Sequence, residues 1–337
     1  IHSNTALSKC MRYFVDKNEK GTILFDSHKV KIKKKYDDFT VLDIYTIVKS
    51  MNLLLALPKL LRGVLLQATL IRKEFSELFG VLPIFYFIYT YSDRFFHSVY
   101  FSFVLESFVE ENIGKIKRVV SGEKESRFAI IENDISNRYQ LEGLCIPHGL
   151  EYNFKYPMPL FGDMFYATSN NAKKCLESMY PNIDFLFDES VLKSIYSVSG
   201  SKSDGKKIVF FTDSRNIELD HSIISFLSQK FNDIYVKLHP NDLIAYYSDI
   251  EDVCFVNSFE DSIYDNIVIT RNSTVLLEGI YNDSICISVS LCAKDKFMAN
   301  YLYPSLHDAG IINIETLESL EKLINNIREN ETVRLYN

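Results

Sequence analysis

The chain has 337 residues, of which 47% are hydrophobic and 24% charged, with only 12 Gly and 8 Pro. That balance excludes collagen-like, low-complexity and long-linker proteins, and the length suits about two domains of roughly 150 residues, each burying its own core. A net charge of −7 excludes a globally basic nucleic-acid binder, so no nucleic-acid partner is expected.

In chain order, Ile1–Cys10 has no apolar run behind a basic start, so no secretory signal is expected. Gly21–Phe25 and Phe39–Ile44 read as strands, and Thr46–Phe79 as mostly helical around a break at Pro58. Within that stretch Met51–Leu70 is leucine-rich, but Pro58, Lys59 and Arg62 interrupt it, so it does not reach the ~20 apolar residues of a span. Lys49, Lys59, Arg62, Arg72 and Lys73 surround the leucines, and the VKIKKK run of Val30–Lys35 lies upstream. Such a basic, leucine-rich segment can lie on an anionic membrane surface, so residues 49–73 are a candidate for peripheral membrane contact. The alternative is a core helix with solvated lysines.

Leu82–Tyr91 (LPIFYFIYTY) reads as a buried strand, and Phe128–Glu132, Gly143–Pro147 and Met164–Ala167 as further strands. A helix over Asn170–Met179 opens on Ser169 as its N-cap. Beyond the polar stretch Ser197–Lys206, strands and helices alternate regularly. Strands fall at Lys206–Thr212, Asp233–Leu238, Val253–Val256, Asn266–Thr270 and Ser284–Val289. Helices fall at Asp220–Phe231, Ser258–Tyr264, Ser273–Tyr281 and Ile314–Arg328. This rhythm predicts an α/β protein with parallel, Rossmann-like sheets. The expected division is an N-terminal domain over 1–190 and a C-terminal domain over 191–337.

The six cysteines are scattered without a CxxC pair, which supports neither a disulfide framework nor a zinc site and suits free thiols in a reducing cytoplasm. No GxGxxG and no GxxxxGK[ST] occurs, which counts against a dinucleotide enzyme or P-loop ATPase.

In a parallel sheet, ligands bind at the carboxyl ends of the strands, and three polar clusters fall at such ends. Pro147-His148-Gly149 follows GLCI. Lys237-Leu238-His239-Pro240-Asn241 follows DIYV, and Thr270-Arg271-Asn272-Ser273-Thr274 follows NIVI and opens a helix. Asn272, Ser273 and Thr274 are placed for phosphate binding at a helix start, or for plain capping. His239 can donate to the phosphate of a departing nucleotide, with Lys237 alternating along the same strand. Arg215, in the TDSRN loop, could reach a donor phosphate or sugar carboxylate, and Glu278 could accept ribose hydroxyls.

"YVKLHPND" followed by "IVITRNSTVLLEG" resembles the paired HP and Ser-Ser/Ser-Thr motifs of bacterial GT-B glycosyltransferases that use CMP-activated sugars, among them sialyltransferases and other nonulosonic-acid or Kdo transferases. The resemblance implies that His239, with Pro240 after it, and Ser273 and Thr274 bind the CMP phosphate and ribose. The upstream "LCIPHGLEYNFKYPMPLFGDMFYATSNNAKK" resembles the HG segment of capsule-synthesis transferases and CDP-glycerol glycerophosphotransferases, with His148, Gly149, Asp163 and Ser169 at the matching positions. The likeness spans roughly residues 140–290. It departs from sialyltransferases in lacking their D/E-D/E-G triplet. Glu132-Asn133-Asp134 is an imperfect counterpart, so His148, Asp134 and Glu132 are the candidate general bases, in that order.

What the resemblance implies is a GT-B enzyme, two Rossmann-like domains facing each other across a cleft. It would be cytoplasmic or peripheral on the inner membrane face and would need no metal and no cofactor beyond a CMP-sugar co-substrate. It would transfer a sialic-acid-like or Kdo sugar to a glycan or glycolipid acceptor of a bacterial surface lipopolysaccharide, O-antigen or capsule. A CDP-glycerol-type phosphotransferase, a non-catalytic glycan-binding or assembly protein and, more weakly, a sugar epimerase of GT-B-like fold are the alternatives.

Overall fold

The computed structural model describes residues 4–25, 30–32, 38–49, 57–66, 69, 92–122, 127–147, 149–156, 160–200, 205–307 and 310–336. It divides into two compact units. The first comprises Ile1–His148, Tyr156–Tyr166 and Asn182–Asp184, and the second Gly149–Lys155, Ala167–Pro181 and Phe185–Asn337. The division therefore does not fall at residue 190. The tail of the HG segment and the Ser169-capped helix belong with the second unit because polar contacts, some of them buried, tie them there. Asn153 donates its N–H to the Leu302 carbonyl. Buried Glu151 accepts from the Thr168 N–H at 2.9 Å and from the hydroxyls of Thr168 and Ser305.

The first unit opens with helix α1 (Asn4–Lys17) and strands β1 (Gly21–Phe25) and β2 (Phe39–Asp43), which pair in parallel. Helices α2 (Ile44–Lys49) and α3 (Ser92–Glu111) follow, then β3 (Arg118–Ser121), α4 (Arg127–Tyr139), β4 (Glu142–Cys145) and β5 (Met164–Tyr166). With β6 (Asp184–Leu186) these strands form a second sheet, in the order β3-β4-β5-β6.

The expected strand at Phe128–Glu132 is the first half of α4 instead. A short apolar run does not distinguish strand from helix, and here the longer period decides. Phe128, Ile131 and Ile135 recur at helical spacing and pack on Phe101, Leu105 and Val109 of α3. The expected strand at Leu82–Tyr91 lies outside the described residues, as does most of 46–79 beyond a helical stretch at 57–66.

The second unit follows the sequence closely. Helix α5 (Asn170–Met179) is capped by Ser169, whose hydroxyl accepts the Ala172 N–H, and α6 (Glu189–Tyr196) by Asp188. Strands β7 (Ile208–Phe211), β8 (Ile234–Lys237), β9 (Val253–Val256), β10 (Ile267–Thr270), β11 (Ile285–Val289) and β12 (Ile312–Ile314) form one sheet. Its order is β12-β11-β10-β7-β8-β9 with every pair parallel. Read from β9, the strands run third, second, first, fourth, fifth, sixth, which is the doubly wound Rossmann order.

One face of this sheet, with Ile208, Phe210, Ile234, Val236, Ile267 and Ile269, packs on α7 (Ile217–Lys230) and on the closing helix α10 (Leu317–Tyr336). The other face carries Val209, Phe211, Val268 and Cys286 beneath Leu276 and Leu277 of α9 (Val275–Ile280). Between β9 and β10 lies the short α8 (Phe259–Ile263), capped by Ser258. Gly279 lets α9 approach β11 closely, since a Cβ there would collide with Cys286 Sγ. The closing helix starts at Leu317 and not at Ile314, because Ile312–Ile314 pairs with β11 as an edge strand.

Both units are thus α/β with parallel sheets. Among the described residues no helix is long and apolar enough to cross a membrane.

Candidate functional site at the switch point of the second sheet

In the doubly wound order, the first and fourth strands lie side by side and their outgoing loops diverge, opening a crevice at their carboxyl ends. Here those strands are β7 and β10. The residues that leave them are Thr212-Asp213-Ser214-Arg215 and Arg271-Asn272-Ser273-Thr274, and β8 delivers His239 beside Thr212.

Hydrogen bonds join the loops around Thr212. The His239 N–H donates to Thr212 Oγ1 at 2.7 Å, and Thr212 Oγ1 donates to Asp242 Oδ2 at 2.5 Å. Tyr247 donates its hydroxyl to the same carboxylate oxygen at 3.3 Å. This chain holds the histidine's backbone while its side chain stays half-buried. The Asn241 N–H donates to His239 Nδ1 at 3.2 Å, so Nδ1 is the acceptor nitrogen and the neutral ring carries its proton on Nε2. The imidazole is thereby arranged to present a donor at the strand end. Pro240 is exposed, and Lys237, the last residue of β8, is partly exposed and receives the Thr212 N–H on its carbonyl.

The β7 and β10 loops are joined by charge. Arg215 forms a bidentate pair with Asp213, with Nε at 2.7 and 2.8 Å from the two carboxylate oxygens, and donates from Nη2 to the Asn272 carbonyl at 2.8 Å. Beneath it Arg271 is 2% exposed. Its guanidinium meets Asp220 at 2.9 Å, Asp295 at 3.2 Å and Asp213 at 3.5 Å, and it donates to the Asp213 carbonyl at 3.2 Å. The approach of Arg271 Nε to Asp220 lies off the hydrogen-bond axis, so it is a charge contact and not a directed bond.

Three carboxylates thus share two guanidinium groups, an excess of one negative charge. Burial, opposed by the Arg271 charge, pushes Asp220 up to about 7. Asp213 is held below the usual carboxylate range, the bonds and charge of Arg215 outweighing its burial. The most enclosed acid is therefore the one on which burial favours the neutral form.

Ser273 and Thr274 are half-buried at the start of α9. Ser273 Oγ accepts the Val275 N–H at 3.3 Å, whereas Thr274, the N-cap residue, makes no side-chain capping bond. Gly149 stands beside them, where a Cβ would lie 4.0 Å from Thr274 Oγ1. Asn272 is buried, donating from Nδ2 to the Asp295 carbonyl at 3.1 Å, while its Oδ1 has no hydrogen-bond partner among the described residues. Glu278, four residues into the turn, is buried and not on an exposed face.

All three clusters read from the sequence therefore border the carboxyl ends of β7, β8 and β10: the HG tail at Gly149, the HP loop, and the Asn-Ser-Thr turn. His148 itself lies outside the described residues. Glu132 and Asp134 are not at a strand end but within α4 of the first unit. Asp134 is paired there with Arg138 at 2.6 Å, and Glu132 is buried in the same helix.

Four groups carry weight that sequence reasoning missed: Asp220, Asp242, Asp295 and Glu151. Each is a lone acid in a helix or loop without a motif. A faint signal exists for Asp220, an acid standing between apolar neighbours on a core helix. Among the described residues no three His, Cys, Asp or Glu side chains gather so as to hold a metal ion.

No family model matches the chain, and no curated protein matches it. One solved structure it resembles is the UDP-GlcNAc 2-epimerase from Neisseria meningitidis bound to UDP-GlcNAc, with 11% identity and a TM-score of 0.47, over 69% of this chain and 73% of that one. A likeness that distant carries no argument about substrate or activity.

Proposed function

We propose that this chain is a metal-independent glycosyltransferase of the GT-B kind that moves a sialic-acid-like or Kdo sugar from its CMP donor to a bacterial surface glycan. The observation that carries the reading is the convergence of His239, Arg215 and the Asn272–Thr274 turn on the switch point of a doubly wound sheet, where nucleotides bind in this architecture. Transfer requires an acceptor hydroxyl to lose a proton as it attacks the anomeric carbon, while the cytidylate departs with added negative charge. The His239 Nε2–H and the Thr274 hydroxyl are the donors this unit offers to that charge, with the Arg215 guanidinium as the nearby positive charge on the β7 loop. The general base of this proposal is His148, on the resemblance of its sequence to the HG segment.

The nucleotide preference is tested by calorimetry and thermal shift with CMP, CDP and UDP. A rise in melting temperature with CMP, and a smaller one with UDP, is the expected result. A CDP-only response would point to the glycerophosphotransferase reading, a UDP response with acceptor-free turnover to an epimerase, and no response to any of them would remove the enzymatic reading.

Peripheral membrane contact is part of the same proposal. On the helical stretch at 57–66, Leu57, Leu61 and Leu65 recur every four residues and are 58%, 55% and 66% exposed. The same helix turns Gly63 inward against Val99. An outward leucine stripe flanked in sequence by Lys49, Arg72 and Lys73 suits a lipid surface carrying anionic headgroups. The full chain should sediment with phosphatidylglycerol vesicles at low salt, and Leu57→Ser/Leu61→Ser/Leu65→Ser should lose at least ten-fold of that binding. Equal sedimentation of both proteins would defeat the assignment.

A further inference from the structure

Beneath the switch point, the loops that leave β7, β8 and β10 all lead to one buried acid. Asp220, in the first turn of α7, is fully buried. Its Oδ2 accepts the Asp213 N–H at 2.5 Å, which fixes the start of the β7 loop. From Asp213 the contacts run outward through the Arg215 pair to the Asn272 carbonyl, at the turn that carries Ser273 and Thr274. Asp242, whose charge acts on Asp220, accepts from Thr212, and Thr212 in turn accepts the His239 N–H. A change of charge on Asp220 is thus felt at both places where a phosphate would dock.

The groups that face Asp220 come from four elements. The β7 loop brings Asp213, and the β10 loop brings Arg271. The loop after β8 brings Asp242 with the Tyr247 hydroxyl, and the stretch after β11 brings Asp295, which shares Arg271. On α7 itself His221 is turned to Asp249 at 2.9 Å, and Glu218 is exposed. Counting Arg215, four carboxylates stand against two guanidinium groups, an excess of two negative charges. Neither Asp220 Oδ1 nor Asp242 Oδ1 has a hydrogen-bond partner among the described residues, so neither carboxylate is fully satisfied as an anion.

We propose that anion binding at the switch point is proton-coupled: a phosphate group that docks at His239 and the Asn272–Thr274 turn brings a proton onto Asp220. The incoming charge adds to the buried excess where the dielectric is low and like charges repel strongly. Neutralising one acid relieves that repulsion, and Asp220 is the acid most ready for it. Burial, opposed by Arg271, already raises it to about 7, whereas Asp213, although buried, is held low by Arg215. Below about 7 Asp220 is protonated with or without the anion, and above it chiefly in the complex. Affinity therefore falls as pH rises above 7, by up to about ten-fold per unit for one proton. The coupling rests on the phosphate-binding reading above, and its two probes fail separately.

Calorimetry on the full chain at about pH 7.5 would use CMP and inorganic sulfate, whose charge is constant in this range, in buffers of differing ionisation heat. The heat should depend on the buffer, giving uptake of about half a proton or more per anion, and Asp220→Asn should lose most of that uptake. CMP affinity should fall about five-fold or more between roughly pH 7 and 8.5 in the parent and about two-fold at most in the variant. An infrared difference spectrum of the parent should gain a protonated-carboxyl band on adding CMP, a check that needs no variant to fold. Buffer-independent heats, absence of that band, or equal uptake in parent and Asp220→Asn would overturn the coupling and leave the anion site standing. Proton uptake with sulfate but no affinity for CMP keeps the coupling and removes the cytidylate reading. Binding of neither probe removes both.

Discussion

Arg271→Met is expected to destabilise the protein by about 3–5 kcal/mol, seen as a lowered urea midpoint with little change in m. The side chain is 2% exposed and faces Asp213, Asp220 and Asp295. Methionine fills a similar volume but leaves these acids buried without their common cation, and that uncompensated charge is the costly outcome. The loss should also depend on pH. Asp220 is raised to about 7, so between roughly pH 4 and 7 the folded chain holds a proton that the unfolded chain has released. Stability is then full below the ordinary carboxylate range and falls as pH rises through 7, by up to about 1.4 kcal/mol per pH unit for one proton. Asp213, held low by Arg215, acts in the opposite sense, and only below the ordinary carboxylate range. Asp220→Asn should flatten the slope from pH 4 to 7 while its amide oxygen still accepts the Asp213 N–H. A slope unchanged in that variant would show that another group titrates.

The second unit was legible because its strands are short β-branched runs ending at unmistakable breakers. IVFF, IVIT and ICISV are buried on both faces of the sheet, IYVK alternates between a buried and a half-buried face, and His239-Pro240 and Asn272-Ser273 mark where two of them stop. Position at strand ends alone places His239, Arg215 and Thr274 at one edge of the sheet. The strand order could not be read, since nothing local in β7 states that β10 is its neighbour, yet that adjacency makes the crevice.

The first unit was less legible for a physical reason. FAIIE is too short a run to reveal its period, and only packing against Phe101, Leu105 and Val109 makes it a helix. With that, Glu132 and Asp134 change from residues at a strand end to helix residues, and Asp134 acquires Arg138 as partner. The acids around Arg271 were hidden for a different reason. A buried charge network is assembled from residues far apart in the chain, and each member resembles an ordinary surface acid.

His239→Ala is expected to reduce turnover of a CMP-sugar by about 10²–10³-fold, followed as release of free cytidylate, and to weaken CMP binding alongside. The fold should survive. The histidine's N–H to Thr212 is a backbone bond that alanine retains, and the lost side chain gives up only the Asn241 N–H it accepts. A stability change within about 1 kcal/mol follows. His239→Gln discriminates further, because its amide can donate from nearly the same position as Nε2–H but bears no positive charge. If the imidazole acts as a neutral donor, glutamine should recover at least ten-fold of the lost rate; if a cation is required, glutamine should be as poor as alanine. Full activity in the alanine variant would remove His239 from the donor site, leaving Arg215 and the Ser273-Thr274 turn as the groups that meet the phosphate.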